Sequence, residues 1–93
     1  MAGGLRRRPR VTDLDRRIGV RLRELRRSRG LTQQQMADEL GIAYQQVHKV
    51  EAGRNRLSAG HLWQAMNVLQ VEPNEFFGSL DAGDEPGRTA VRA

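Results

Sequence analysis

Between residues 13 and 78 apolar side chains return every three or four positions, the period of a helix with one buried face, and nowhere alternate as in a strand. Leu14, Ile18, Leu22 and Leu25 form the first stripe. Thr12 stands before it as an N-cap, Asp13 and Asp15 fall in the first turn where the helix dipole favours anions, and Gly30 follows as a C′ residue. Thr32-Gln33-Gln34-Gln35 has the form of a capping box and opens a second helix, which buries Met36, Ala37 and Leu40 and stops at Gly41. A third helix reads from Ala43 to Ala52, with Val47 and Val50 inward and Gly53 at its end. Ser58 caps a fourth, with Leu62, Ala65, Met66 and Leu69 inward and Trp63 at the edge of the core. Pro73 begins a short fifth helical turn carrying Phe76 and Phe77. The pattern predicts an all-α, five-helix bundle over residues 13–78. A flexible basic arm is expected at 1–12 and a disordered polar tail at 79–93.

Composition narrows the chemistry. A chain of 93 residues is one small domain, with little room for a lidded catalytic cleft. No uncharged run approaches the roughly 18 apolar residues of a membrane span. The positive start has no apolar run behind it, so a cytoplasmic, nucleoid-associated bacterial protein is expected rather than a secreted one. Without cysteine, disulfides, thiolate zinc sites and cysteine nucleophiles are excluded. The formal net charge is +5, and the basic excess lies wholly in the first third. Residues 1–12 hold Arg6, Arg7, Arg8 and Arg10 and no acid, and residues 13–29 hold seven Arg against three acids. Fifteen of the sixteen cations are Arg, the better bidentate partner for phosphate. The alternative is a merely solvated basic face.

The third helix carries the most specific signal. With Val47 and Val50 turned inward, about 100° per residue points Gln45, Lys49 and Ala52 outward, with Tyr44 and His48 flanking. That face holds amide, amine, imidazole and phenol groups and no carboxylate. Gln pairs bidentately with adenine and Lys donates to guanine, so such a face suits base edges in a major groove. An ordinary solvated helix would mix in Asp or Glu, each of which repels phosphate.

The tight turn at Gly41 between two short helices has the form of a helix-turn-helix. The run Leu22-Arg23-Glu24-Leu25-Arg26, Gly30-Leu31-Thr32-Gln33, Met36-Ala37, Leu40-Gly41-Ile42, Val47 and Val50-Glu51-Ala52-Gly53 resembles the Cro/cI-type (XRE) helix-turn-helix family. The resemblance covers about residues 16–78. It implies a lambda-repressor-like bundle and a sequence-specific regulator of transcription, in the role of a repressor, that reads double-stranded DNA with helix 44–52. By the same resemblance, Tyr44, Gln45 and Lys49 are the base-contacting positions, Gln45 first, with His48 beside them. Gln33, at the N-terminus of the second helix, clamps a backbone phosphate. Arg54, Asn55 and Arg56 lie in the loop beyond the reading helix, within reach of further phosphates. The sequence departs from the family at Ala43, where Ser or Thr often caps the reading helix, and the missing cap loosens or shifts its start by a residue.

Arg26 and Glu51 each fall four residues from a core position, Leu22 and Val47, and a charge there calls for a partner. The family's matching pair forms an internal salt bridge, which assigns Arg26 and Glu51 to structure. Arg6, Arg7, Arg8 and Arg10 either enter the minor groove or form a solubilising tail. One helix reads only a few base pairs, so a homodimer on a two-fold operator is expected. Phe76, Phe77 and Leu80 either supply part of the dimer surface or close the monomer core. Met36 and Met66 fill the core.

Other chemistry finds little support. His48 and His61 have no third ligand at metal spacing, Ser58 is a cap without a base to activate it, and no Gly-rich phosphate loop occurs. No metal, cofactor, enzymatic activity or membrane contact is expected. Two alternative readings keep a protein partner: an antitoxin that neutralises a toxin and represses its own operon, and a co-regulator that binds RNA polymerase.

Overall fold

The structure, a computed structural model, describes residues 10–84. Five helices follow one another: α1 (Asp13–Ser28), α2 (Gln33–Leu40), α3 (Tyr44–Glu51), α4 (Ala59–Leu69) and α5 (Pro73–Asp84). No strand occurs among the described residues. Helix α1 packs against α3 and α5, and α2 against α3 and α4, so α3 is held from two sides. The core between them is built on Leu22, Met36, Val47, Val50, Leu69 and Phe76, each fully buried.

Local chemistry explains where each helix starts. The Asp15 N–H donates to Thr12 Oγ1 at 3.0 Å and the Thr12 N–H donates back to the Asp15 carboxylate at 2.9 Å. Thr32 and Gln35 exchange the same pair at 3.0 and 2.8 Å, so both α1 and α2 open on capping boxes. Ser58 Oγ accepts the His61 N–H at the start of α4. Ala43 contributes no side-chain cap, yet its extended backbone (φ −74°, ψ 148°) still launches α3 at Tyr44. Flanking helices that bury Val47 and Val50 supply what the missing cap does not.

The ends are equally systematic. Gly30, Gly41, Gly53 and Gln70 take left-handed backbone after α1 to α4, and the following N–H reaches back to the carbonyl of Arg26, Ala37, Lys49 and Met66 respectively. This is the Schellman closure, in which the residue after the left-handed one normally drops an apolar side chain onto its helix. Leu31, Ile42 and Val71 do so. At the end of α3 that position is Arg54, which stays exposed.

The apolar pattern misplaces three elements. Leu14 belongs to the α1 stripe by spacing but is 54% exposed, because the first turn is held by polar contacts: the Thr12 box and an Asp13–Arg17 pair at 2.9 Å. Trp63 is not at the core edge but 57% exposed. The buried stripe of α4 runs through Leu62, Ala65, Met66 and Leu69, and Trp63 lies about 110° round the helix from its centre. The fifth helix does not stop at Gly78 but runs on to Asp84, so residues 79–84 are helical rather than tail. An interior glycine weakens a helix by only about 1 kcal/mol and needs a left-handed turn to end it; Gly78 takes no such turn. The two phenylalanines divide: Phe76 closes the core and Phe77 faces out, their rings edge to face at 5.0 Å. Leu80 is half-buried.

Candidate nucleic-acid interface

The outward face of α3 presents Tyr44, Gln45, His48 and Lys49, all exposed, and continues into exposed Ala52. Tyr44 and His48, one turn apart, stack at 6.0 Å between ring centroids. The only carboxylate on the helix, Glu51, is turned inward and buried. Arg26 meets it with two parallel hydrogen bonds, Nε to Oε2 at 2.7 Å and Nη2 to Oε1 at 2.9 Å, and gives Nη1 to the Leu31 carbonyl at 2.7 Å. Charge-assisted bidentate bonds of this kind pair the two groups without exposing either. The outward face of α3 is thereby left without negative charge.

Gln33 stands at the first position of α2, half-buried, with its side chain turned to α3. Its Nε2 donates to Glu51 Oε1 at 2.9 Å, and its Oε1 lies 3.4 Å from His48 Nδ1. In the free protein, then, the proposed phosphate clamp is engaged at both ends. The loop after α3 shows a similar division of labour. Asn55 Oδ1 accepts the Arg56 N–H at 2.9 Å and shapes the loop, while Arg56 lies 3.5 Å from Asp15 of α1. Arg54 is exposed and points away from the core, as its place in the Schellman closure dictates. Arg10 is exposed; Arg6, Arg7 and Arg8 lie outside the described residues. Asp15 titrates below its ordinary 3.8, held there first by the Thr12 N–H, then by the Thr12 hydroxyl and Arg56, with burial opposing.

Two features escaped the sequence reading. An open hollow of about 800 Å³ lies between α1, the start of α2 and α3, and Arg23 and Arg27 line it together with Gln33, Tyr44 and His48. Of the seven arginines between residues 13 and 29, five are engaged: Arg16 and Arg17 with Asp13, Arg21 with Glu24, Arg26 with Glu51, and Arg29 with the Leu69 carbonyl. The guanidinium groups of Arg23 and Arg27 have no partner among the described residues. Their i, i+4 spacing was legible, but only the docking of α1 on α3 puts them beside Tyr44 and His48. The second feature makes that docking possible. Gly19 faces α3 so closely that a Cβ there would collide with the Val50 carbonyl oxygen.

Among the described residues no three His, Asp or Glu side chains gather as metal ligands, and no helix is long and apolar enough to cross a membrane. His61 is engaged with Ser58, its Nδ1 3.2 Å from the hydroxyl.

Known proteins agree with this arrangement. A family model described as helix-turn-helix matches residues 22–76. An uncharacterized transcriptional regulator in the ATPase CF(0) region of Rhodospirillum rubrum is 38% identical over 74 residues, 80% of this chain and 68% of the relative. The uncharacterized HTH-type transcriptional regulator y4wC of Sinorhizobium fredii is 39% identical over 72 residues, 77% of this chain but only 49% of the relative, so this chain spans about half of that protein's length. Of solved structures, the restriction-modification controller protein C.AhdI from Aeromonas hydrophila superposes with a TM-score of 0.65 at 33% identity, over 71% of this chain and 100% of that one. The controller protein C.Esp1396I, solved as a tetramer in complex with its natural 35 base-pair operator, gives a TM-score of 0.66 over 74% of this chain and 91% of its own. Its 22% identity makes that a likeness of fold. With the turn at Gly41, the buried Arg26–Glu51 pair and the matched span all in place, the chain belongs to the XRE-type helix-turn-helix family of DNA-binding regulators.

Proposed function

We propose that this chain, a DNA-binding transcriptional regulator, lays α3 in the major groove of double-stranded DNA and represses transcription from a two-fold operator as a homodimer. The observation that carries this reading is the division of α3. Four exposed side chains able to donate to or accept from bases lie on one side, and its single carboxylate is buried and neutralised on the other. Tyr44, Gln45, His48 and Lys49 contact bases. Arg54, with Arg23 and Arg27, contacts phosphates. Gln33 offers a phosphate its backbone N–H at the start of α2 while its side chain stays on Glu51 and His48. Asn55 and Arg56 reach phosphates only by exchanging the partners they hold in the free protein. The residues bound to DNA in this way perform no catalysis, and the site of action is the cytoplasm.

A monomer reading one half-site has too few base contacts for selective affinity, and pairing on half-sites about 34–36 Å apart supplies the rest. With Phe76 closed into the core, the exposed Phe77 and half-buried Leu80 of α5 supply part of the dimer surface in this reading. Sedimentation at micromolar concentration checks it, and a monomer both free and on DNA removes it. Base reading is tested by binding to genomic fragments and to random duplexes. Lys49→Ala is expected to relax base preference by about 1–3 kcal/mol. If it weakens every duplex alike, Lys49 touches only phosphate.

A further inference from the structure

His48 is an ambiguous reader, because a neutral imidazole carries a donor on one ring nitrogen and an acceptor on the other. The surrounding hydrogen bonds remove the ambiguity, starting from the buried end. Arg26 is always charged and donates twice to Glu51, so Glu51 is a carboxylate and accepts only. Gln33 approaches Glu51 Oε1 at 2.9 Å, and against an acceptor only its amide nitrogen can point that way. The Gln33 carbonyl oxygen therefore faces His48, 3.4 Å from Nδ1. Facing an oxygen that accepts, Nδ1 must carry the proton.

We infer that Gln33 fixes the Nδ1–H form of His48, so that the exposed Nε2 meets DNA as a hydrogen-bond acceptor and favours a base offering an amino group, adenine N6 or cytosine N4. The inference rests on the reading of α3 as the base-contacting helix. Gln33 is then a positioning residue. It transmits the orientation of a buried ion pair to a side chain on the reading face and touches no base itself. Guanine and thymine present acceptors to the major groove at the corresponding place and leave the Nε2 lone pair unmatched. The stacking of Tyr44 on His48 restrains ring tilt but leaves the choice of protonated nitrogen to Gln33. A tautomer set by the hydrogen bond on the other ring nitrogen is a general property of histidine; here it fixes whether the group read by DNA donates or accepts.

The test has two arms. In the first, the ring nitrogens of His48 are followed by long-range proton–nitrogen NMR on the free wild-type protein at a pH where the ring is neutral. The expected spectrum has the proton on Nδ1, and Gln33→Met, which keeps the chain length and loses both hydrogen bonds, is expected to move it to Nε2. A wild-type ring protonated at Nε2 overturns the inference whatever the DNA does. In the second arm, wild type and Gln33→Met are titrated with duplexes differing only at the base facing His48. Wild type is expected to prefer adenine or cytosine by roughly threefold to tenfold, the size of one neutral hydrogen bond, and the variant to lose that preference. An Nδ1–H ring with no such preference, on duplexes the protein otherwise selects, overturns the readout. An Nδ1–H ring in a protein that selects no sequence at all strikes at the reading of α3, which the tautomer spectrum survives.

Discussion

Arg26 and Arg27 are neighbours in the chain and have opposite surroundings. Arg26 is buried, spends three of its N–H groups on Glu51 and Leu31, and joins α1 to α3. Arg27 is exposed and, with Arg23 one turn earlier, hangs over the hollow beside Tyr44 and His48 without a partner among the described residues. Residue type is the same and the helix is the same; about 100° of rotation separates a structural cation from one available to phosphate. Proximity to the reading face therefore does not mark a residue as a DNA contact. What decides is whether an internal acceptor has already claimed the guanidinium.

The contrast can be broken most sharply at Arg26. Arg26→Ala leaves Glu51 buried without its counter-ion and Gln33 with a strained anchor, so thermal unfolding is expected to lose about 3–5 kcal/mol, ahead of any change in base preference. Unchanged melting with altered preference would show Arg26 to be a reader instead. Next in size is the seam itself. Gly19→Ala forces α1 away from the Val50 carbonyl, at a cost of roughly 1–3 kcal/mol for overpacking, and should appear in denaturant titration as a lower midpoint. A variant as stable as wild type would mean that the α1–α3 contact yields more easily than its geometry suggests.

The exposed pair should behave in the opposite way. Replacing Arg23 and Arg27 together by Gln is expected to leave stability unchanged or raise it by about 0.2–0.5 kcal/mol, since like charges four apart repel. DNA affinity should fall for all sequences alike. Each lost phosphate contact lowers the steepness of the salt dependence by about 0.9, and four contacts in a dimer by about 3.6. A salt slope equal to that of wild type would return both residues to the solvated surface. The smallest effect concerns Asp15, which ties the cap of α1 to Arg56. Its folded pKa lies below the ordinary 3.8, so its contribution is complete above that value and is lost as pH falls through the folded pKa. Thermal melts between pH 2 and 6 should show wild type ahead of Asp15→Asn at the upper end and level with it at the lower. A lead that persists at the acid end would assign the effect to shape rather than charge.

Much of the architecture was legible because its signals are local. Thr12, Thr32 and Ser58 announce helix starts, and Gly30, Gly41 and Gly53 announce ends, through hydrogen bonds made within a few residues. Trp63 was misjudged although its angle from the α4 stripe already turned it outward, Gly78 because a glycine was taken as a stop without a left-handed turn, and Leu14 for a third reason. Periodicity gives the direction of a side chain from its own helix axis but says nothing of whether another helix lies in that direction. Gly19 gave no warning, since a glycine inside a helical stripe reads as a weakness until the opposing carbonyl is known. At the interface, the polar face of α3 was legible for the same local reason as the caps. The engagement of Gln33 with Glu51 and His48, and of Arg56 with Asp15, was not, because those partners are 15 to 41 residues apart and meet only after the helices dock.

The order of amino acids was enough to place the first four helices, to settle which side of α3 is apolar, and to show that the chain carries an Arg-rich first third, because capping, periodicity and composition act over a turn or two. Packing settled the rest. Which arginines are spent internally, which way the Gln33 amide points and how the His48 ring is held all depend on groups from three helices meeting within hydrogen-bond range, and no short-range rule encodes that meeting.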